Sequence, residues 1–435
     1  MPWINQILDV SRNGDNSKHQ ISWSDTRILG LRAMANGEGL RSPLDDKLAS
    51  AILLCVEGRF ADAQKHITRL MTDNVDLVNK DAETFISVLF ALYVAQEFGL
   101  VAALLNDRFG FNADFSIDVE DNGPGVGRIR WEISKGGIHR FVFDAKSYQY
   151  DKTRDDILGF YWEFPLYANF SRSAYREHGE IVINQMDVGF TPGLAWCDNR
   201  PNYFLVPDCI FVPSRGYQWA REVFKRNYIP WDQRKDIAFW RGGTTGVPNV
   251  PGDWRSLERI ALCEIARKHE HLGLFDVGLS SIVQLLDAAA VKAVENSGLM
   301  RNFVSWEQWG NFKYHIDIDG NSSPWSNLFQ RLLTGSPVLK VESSRCLQQW
   351  FYDKLEPWVN YIPIAPNMSD LLDKVQWLRA NQSYARNVGE AGRCLAMRLT
   401  YERELGRSAD TVARAFRYFR DEPNCSSPFG RAPCC

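Results

Sequence analysis

The stretch KYHIDIDGNSSPW, residues 313–325, decides the reading of the fold. Lys313 to Ile318 alternates with period two, as a strand does. Gly320-Asn-Ser-Ser-Pro then breaks the strand, and Trp325 opens a helical pattern that runs to Leu333. Pro337-Val-Leu-Lys-Val reads as a strand again. Working outward, Ile237-Ala-Phe-Trp is a strand, Trp254 to His269 a helix and Tyr361-Ile-Pro-Ile a short strand. Ser369 is placed to cap a helix from Asp370 to Arg379. This alternation predicts a parallel sheet with helices on both faces. Residues 383–420 read as helices with arginines on their exposed faces.

The first half has a different texture. Residues 1–45 are polar and read as irregular, and Leu48 to Phe109 is helical. Phe60, Ala63, Ile67, Leu70 and Met71 share one helix face. The stretch from Val56 to Gln64 resembles part of a tetratricopeptide helix pair, but a single pair cannot build a solenoid. Strands follow at Phe115–Val119, Arg128–Ile133, Arg140–Asp144 and Glu180–Asn184, joined by Gly/Asn turns. Arg221 to Asn227 is helical, and Pro230 marks a domain boundary.

Bulk properties narrow the class. At 435 residues the chain exceeds one hydrophobic core. A net charge of -3 gives no general pull toward nucleic acid or anionic lipid. The nine cysteines are scattered and form no CxxC pair, which fits reduced thiols in a cytosolic protein better than a zinc or disulfide framework. The N-terminus lacks a basic-then-apolar leader, and the most apolar run, Phe85 to Ala95, is too short to span a bilayer. The expectation is a cytoplasmic protein, with peripheral contact at the inner membrane as the form any membrane association would take.

Three segments have the composition of a site. In Phe239-Trp-Arg-Gly-Gly-Thr-Thr-Gly a strand ends in a loop whose glycines let backbone N–H groups cradle a phosphate. Arg241 and Arg255 offer donor forks, and a helix beginning near Trp254 would point its N-terminus at an anion. The bland alternative is a surface loop. In the second segment His315, Asp317 and Asp319 point to one side of a strand. They read either as an Asp-x-Asp metal site or, the favoured reading, as a strand end ordering the loop Gly320-Asn-Ser-Ser-Pro at the carboxyl edge of the sheet. The third is Asp187, just past the strand Glu180–Asn184: a base for an acceptor proton, or a turn-forming Asp.

Together these blocks resemble glycosyltransferase family 90, which comprises the capsule-associated xylosyltransferase-like proteins and the protein O-glucosyltransferases. Phe239-Trp-Arg-Gly-Gly-Thr-Thr-Gly resembles its F-R-G-S-x-T stretch. Lys313 to Asn321 with Leu332 to Lys340 resembles the second signature, Leu355 to Ile364 a third block, and Ile181 to Asp187 the block with the catalytic aspartate. The resemblance covers residues 175–395 and implies a bacterial-type member of GT-B fold with two facing Rossmann-like lobes. It implies inverting transfer of glucose or xylose from a UDP-sugar to a hydroxyl of a glycan, lipopolysaccharide or lipid-linked glycan, with no required metal or cofactor. Asp187 falls on the base. Arg241, Gly242, Gly243, Thr244, Thr245 and Arg255 fall on the diphosphate side, and Asp319, Gly320, Asn321, Ser322, Ser323, Trp325 and Ser336 on the nucleotide side. Gly243 stands where the family usually has Ser. Ser326 stands where an Arg commonly follows the aromatic residue, leaving Arg331 or Arg301 to compensate.

The implied organisation is a helical accessory segment at 1–110, able to dock a partner, and an acceptor-side α/β lobe at 111–229. A nucleotide-sugar-binding lobe at 230–382, C-terminal helices at 383–422 packing back across the lobes and a flexible tail at 423–435 complete it. Two rivals stay open: a metal-dependent transferase using Asp317 and Asp319, and an inactive glycan-binding or scaffold protein on the same fold.

Overall fold

The computed structural model describes residues 18–38, 42–150 and 152–421. These fall into two compact units. The first runs through Ala195, takes in Asn202–Phe204 and regains the chain from Leu405; the second holds Trp196–Pro201 and Leu205–Glu404. The segment 423–435 lies outside the described residues.

Among the described residues the first unit opens with six helices: α1 (Asp25–Ala35), α2 (Asp45–Val56), α3 (Phe60–Asp73), α4 (Val75–Lys80), α5 (Ala82–Val94) and α6 (Phe98–Phe109). Helix α1 corrects the expectation of irregular chain up to residue 45; its N-cap Ser24 accepts a hydrogen bond from the Arg27 N–H. On α3 the expected face is buried at Ala63, Ile67, Leu70 and Met71. Then come β1 (Phe115–Glu120), β2 (Arg128–Ile133), β3 (His139–Asp144), α7 (Thr153–Ser171), β4 (Gly179–Asn184) and β5 (Gly193–Ala195). Helix α7 has no counterpart in the sequence reading. It is apolar around most of its circumference and contains Pro165, so neither an amphipathic period nor an uninterrupted run marks it.

Strand β6 (Cys197–Asp198) counts with the second unit, and β7 (Tyr203–Leu205) completes the first unit's sheet in the order β1-β3-β2-β4-β5-β7. That sheet is mixed. β2 runs antiparallel to β3 and β4, whereas β1–β3 and β4–β5 are parallel. The short turn Ser134–Ile138 makes β2 and β3 a hairpin, which can only be antiparallel. The expectation of a Rossmann-like first lobe is corrected on this point. Its core is aromatic: Trp131 is fully buried, with Phe141, Tyr167, Phe170 and Phe416 around it.

The second unit continues with α8 (Gln218–Arg226), β8 (Lys235–Gly243), α9 (Glu258–Lys268), β9 (Phe275–Ser281) and α10 (Ala288–Glu295). It goes on through β10 (Phe312–Asp317), α11 (Trp325–Leu333), β11 (Val338–Val341), β12 (Gln348–Gln349), β13 (Ile362–Ile364), α12 (Leu371–Ala380) and α13 (Gln382–Arg398). The last helix, α14 (Tyr401–Asp421), passes back into the first unit at Leu405. The predicted strands and α11 are all present. Helix α12 starts one residue after Asp370, and Ser369 is not its cap.

Every pairing in the five-stranded sheet β13-β11-β10-β8-β9 is parallel. Alternation along the strands splits the core. Ala238, Trp240, Ile316 and Leu339 join one buried cluster, and Phe239, Phe312 and Val338 join another with Leu328 and Leu332 of α11. Counted from β8 the strand order is 2-1-3-4-5, the doubly wound order whose connections reverse direction between the first and third strands. Here those strands are β8 and β10. Among the described residues no helix is long and apolar enough to cross a membrane.

Candidate functional site

In an open parallel sheet, a crevice forms at the carboxyl ends of the two strands where the winding reverses. The loops leaving β8 and β10 meet there. Gly242 and Gly243 are crowded: a Cβ would lie 2.6 Å from the Trp240 ring at the first, and at the second 2.8 Å from Ser281 Oγ, which would have to move aside. Thr244 is buried, and its hydroxyl donates to Val283 O at 2.6 Å and accepts from Val283 N at 2.8 Å. It fastens the loop and does not present a hydroxyl to a ligand. Gly246 N donates to Asn321 Oδ1 at 3.1 Å, joining this loop to the one after β10.

Two arginines complete the join. Arg259, on the first turn of α9, donates from Nε to Asp319 O (2.8 Å) and from Nη1 to Thr245 Oγ1 (2.6 Å) and Gly243 O (3.2 Å). The fit leaves no space for a side chain at Gly320, where a Cβ would lie 2.7 Å from both Arg259 Nη2 and Thr245 Oγ1. Arg345, in the loop between β11 and β12, donates from Nη1 to Asn321 O (2.9 Å) and from Nη2 to Gly320 O (2.8 Å). Thr245, Gly246, Arg259, Asp319, Gly320 and Arg345 line a cavity of about 260 Å³.

The other expected residues sort by place. Arg255 belongs to a 3-10 turn, Trp254–Ser256, capped by Asp253; α9 itself begins at Glu258, not near Trp254. The Arg255 side chain is exposed and stacks over the Trp254 ring at 4.4 Å, so the arginine packed against both loops is Arg259. Arg241 is only 8% exposed and is engaged by Asp276 Oδ1 (2.5 Å) and the carbonyls of Asp276 and Asn302. Ser322 Oγ accepts from Trp325 Nε1 (2.9 Å), and Ser323 Oγ donates to Cys197 Sγ (3.0 Å), so both hydroxyls are turned inward. Trp325, with φ of 33°, sets its ring edge-on to Trp196 at 5.3 Å.

Ser336 is a correction. It precedes β11, and its hydroxyl donates to Phe312 O (2.7 Å) and accepts from Arg234 Nη1 (2.7 Å). In a parallel sheet those partners, at the starts of β10 and β8, mark the amino edge, opposite the loops. The two arginines expected to compensate for Ser326 do not reach the cavity either. Arg301 is bound to the carbonyls of Gly298 and Met300 and to Glu270. Arg331 is buried over the Trp309 ring at 4.3 Å, with its Nε 3.9 Å from Asp317 Oδ1.

Asp317 and Asp319 are buried, and none of their carboxylate oxygens has a hydrogen-bond partner among the described residues. No third His, Cys, Asp or Glu among the described residues groups with them in a metal-sized cluster. Burial, opposed by the charges of Lys340 and Arg331, pushes Asp317 up from 3.8 to about 6. A carboxyl whose folded value is raised holds its proton more tightly when folded. Stability is therefore highest below the unfolded value and is lost as pH rises from about 4 to about 6, by up to about 3 kcal/mol. Asp156, pushed up to about 7 by burial, adds a slope of the same sign. Asp317→Asn should flatten the 4-to-6 part of this profile in chemical unfolding followed at several pH values. An unchanged slope would count against Asp317 as its source.

In the first unit Asp187 follows β4 in a loop held from inside by one side chain. Asn184 is buried; its Oδ1 accepts from Phe190 N (3.0 Å) and Thr191 N (3.1 Å), and its Nδ2 donates to Thr191 O (2.8 Å) and Leu194 O (2.9 Å). Arg128 Nη1 adds a bond to Thr191 Oγ1 (2.8 Å). Asp187 is half-buried, and Met186 and Phe190 beside it are 38% and 59% exposed. Arg259, Arg345 and Asn184 were not singled out from sequence. Arg259 follows Arg255 by one helical turn, which is a faint signal; the other two carry none.

The strand order defines the second unit as a Rossmann-like domain of the doubly wound type. Its residues 215–402 match the family model described as glycosyl transferase family 90. The chain is 27% identical over 213 residues to protein O-glucosyltransferase 2 of Danio rerio, covering 47% of this chain and 39% of that protein. It is 29% identical over 243 residues to protein O-glucosyltransferase 3 of Homo sapiens, covering 53% and 44%. It is 27% identical over 171 residues to O-glucosyltransferase rumi of Drosophila pseudoobscura pseudoobscura, covering 38% and 36%. In each case the match spans less than half of the relative's length. Residues 215–402, within the second unit, are thus a glycosyltransferase family 90 domain.

Proposed function

We propose that the chain is an inverting, GT-B-type glycosyltransferase that moves glucose or xylose from a UDP-sugar to a hydroxyl of a glycan, lipopolysaccharide or similar acceptor. The observation that carries the reading is the cavity between the β8 and β10 loops, braced by Arg259 and Arg345, in a chain similar to proteins named O-glucosyltransferases. Departure of UDP builds negative charge on the diphosphate. Fixed donors that need no reorganisation stabilise such charge, and one such donor is worth about 10²–10³ in rate. The two guanidinium groups are donors of that kind. Asp187 takes the acceptor proton as the hydroxyl attacks the anomeric carbon. The guanidinium charge makes a divalent metal unnecessary in this scheme.

A panel of UDP- and GDP-sugars, offered with and without EDTA, tests the reading by release of the nucleoside diphosphate. Turnover of UDP-glucose or UDP-xylose that survives EDTA is expected. Loss of all turnover in EDTA would move the assignment to a metal-dependent enzyme using Asp317 and Asp319. Turnover of no sugar nucleotide, together with no UDP binding, would sink it.

A further inference from the structure

We infer that Arg345 is a diphosphate-binding residue of this protein, bringing to the donor site the positive charge that the nucleotide loop lacks at Ser326. The inference rests on the donor reading above. Ser326 is buried and its hydroxyl accepts from Gln330 Nε2 at 3.0 Å, so the start of α11 offers the cavity no cation. Three other arginines that the sequence brings to mind for this site are committed elsewhere: Arg241 to Asp276, Arg301 to Glu270, Arg331 beneath Trp309. Of the two arginines that line the cavity, Arg259 is electrostatically coupled to Asp317 and Asp319.

Arg345 differs from all of these. It lies in the loop after β11, half-buried at the cavity wall, and no carboxylate among the described residues pairs with it. Glu258, on the same wall, accepts from Ser344 Oγ at 2.5 Å. Two N–H groups of Arg345 hold the carbonyls of Gly320 and Asn321, which fixes the plane of the guanidinium. The remaining donors of the fork are unspent. A guanidinium held in one plane, uncompensated and facing a cavity, matches a phosphate oxygen pair better than any neutral group. Its two carbonyl bonds make the same residue a brace of the loop on which the nucleotide would rest.

Calorimetric titration of the full chain with uridine and with UDP separates these roles. Arg345→Gln should weaken UDP binding by about 10- to 100-fold, as expected for loss of a charge-assisted bond, and leave uridine binding unchanged. Arg345→Lys, which keeps the charge but not the fork, should recover part of the UDP affinity. UDP binding in Arg345→Gln within about twofold of wild type would overturn the inference, on the same scale. Equal weakening of uridine and UDP would also overturn it, leaving Arg345 as a brace only. If the wild-type protein binds neither, the donor reading falls first and Arg345 with it.

Discussion

Asp187→Asn is expected to lower sugar transfer by about 10²–10⁴-fold, the usual contribution of a positioned general base, with UDP affinity unchanged. The substitution removes the basicity of the carboxylate and keeps the size of the side chain. Asn has the shape of Asp, and the loop around residue 187 takes its form from Asn184, whose four backbone bonds do not involve the residue-187 side chain. Donor affinity should hold because Asp187 lies in the first unit, whereas the cavity is built wholly from residues of the second. UDP release in the presence of acceptor measures the first effect and calorimetry the second. Retention of more than about a tenth of wild-type transfer, far above what loss of a general base allows, would assign Asp187 to the turn instead.

Arg259→Met should act on both binding and stability. The wild-type side chain satisfies Asp319 O, Gly243 O and Thr245 Oγ1 at once, and so ties the loops after β8 and β10 into one wall. Burial lowers the basicity of its guanidinium, opposed by Asp317 and Asp319, so the site holds a partly desolvated cation against two carboxylates. Hydrogen bonds to a charged group are each worth about 1.5–3 kcal/mol, and water can enter to replace some of them. A net loss of about 2–4 kcal/mol follows, or a melting-point drop of about 5–15 °C for a unit of this size. UDP affinity should fall by about 100-fold or more, because the loops lose their register along with a cation. Arg259→Lys should rescue little, since a single ammonium cannot span three acceptors in fork geometry. A variant that melts and binds UDP as the wild type does would show that the loops are held by other means, such as the Gly246–Asn321 bond.

The sequence was most informative where the signal is local. The strand at 313–318 alternates with period two, those at 237–240, 337–341 and 361–364 are short, mostly apolar runs, and each is followed within two residues by Gly, Pro or Ser, so their existence and parallel arrangement were readable. It was least informative where an element is buried on most sides or lies at a sheet edge. Helix α7 carries no amphipathic period, and β9, with Asp276, Gly278 and two serines, lacks the apolar run that marks an interior strand. Trp254 to His269 read as one helix because its apolar spacing continues through a 3-10 turn that only the hydrogen bonds separate from α9.

By itself, then, the sequence determined the parallel sheet with its helices in the second half, the two Gly/Ser/Thr loops that flank the site and the family blocks within it. All of these follow from neighbours in the chain: a strand's period, a glycine's missing Cβ, a motif's spacing. Only the tertiary structure decided which charges face the cavity. Arg345 lies 25 residues beyond Gly320, and β11 brings it back to bond that residue's carbonyl. Arg241 and Ser336, both inside the motifs, are turned to Asp276 and to the opposite edge of the sheet. A guanidinium acts over a few ångströms of space, and that distance is set by strand order, which no local pattern encodes.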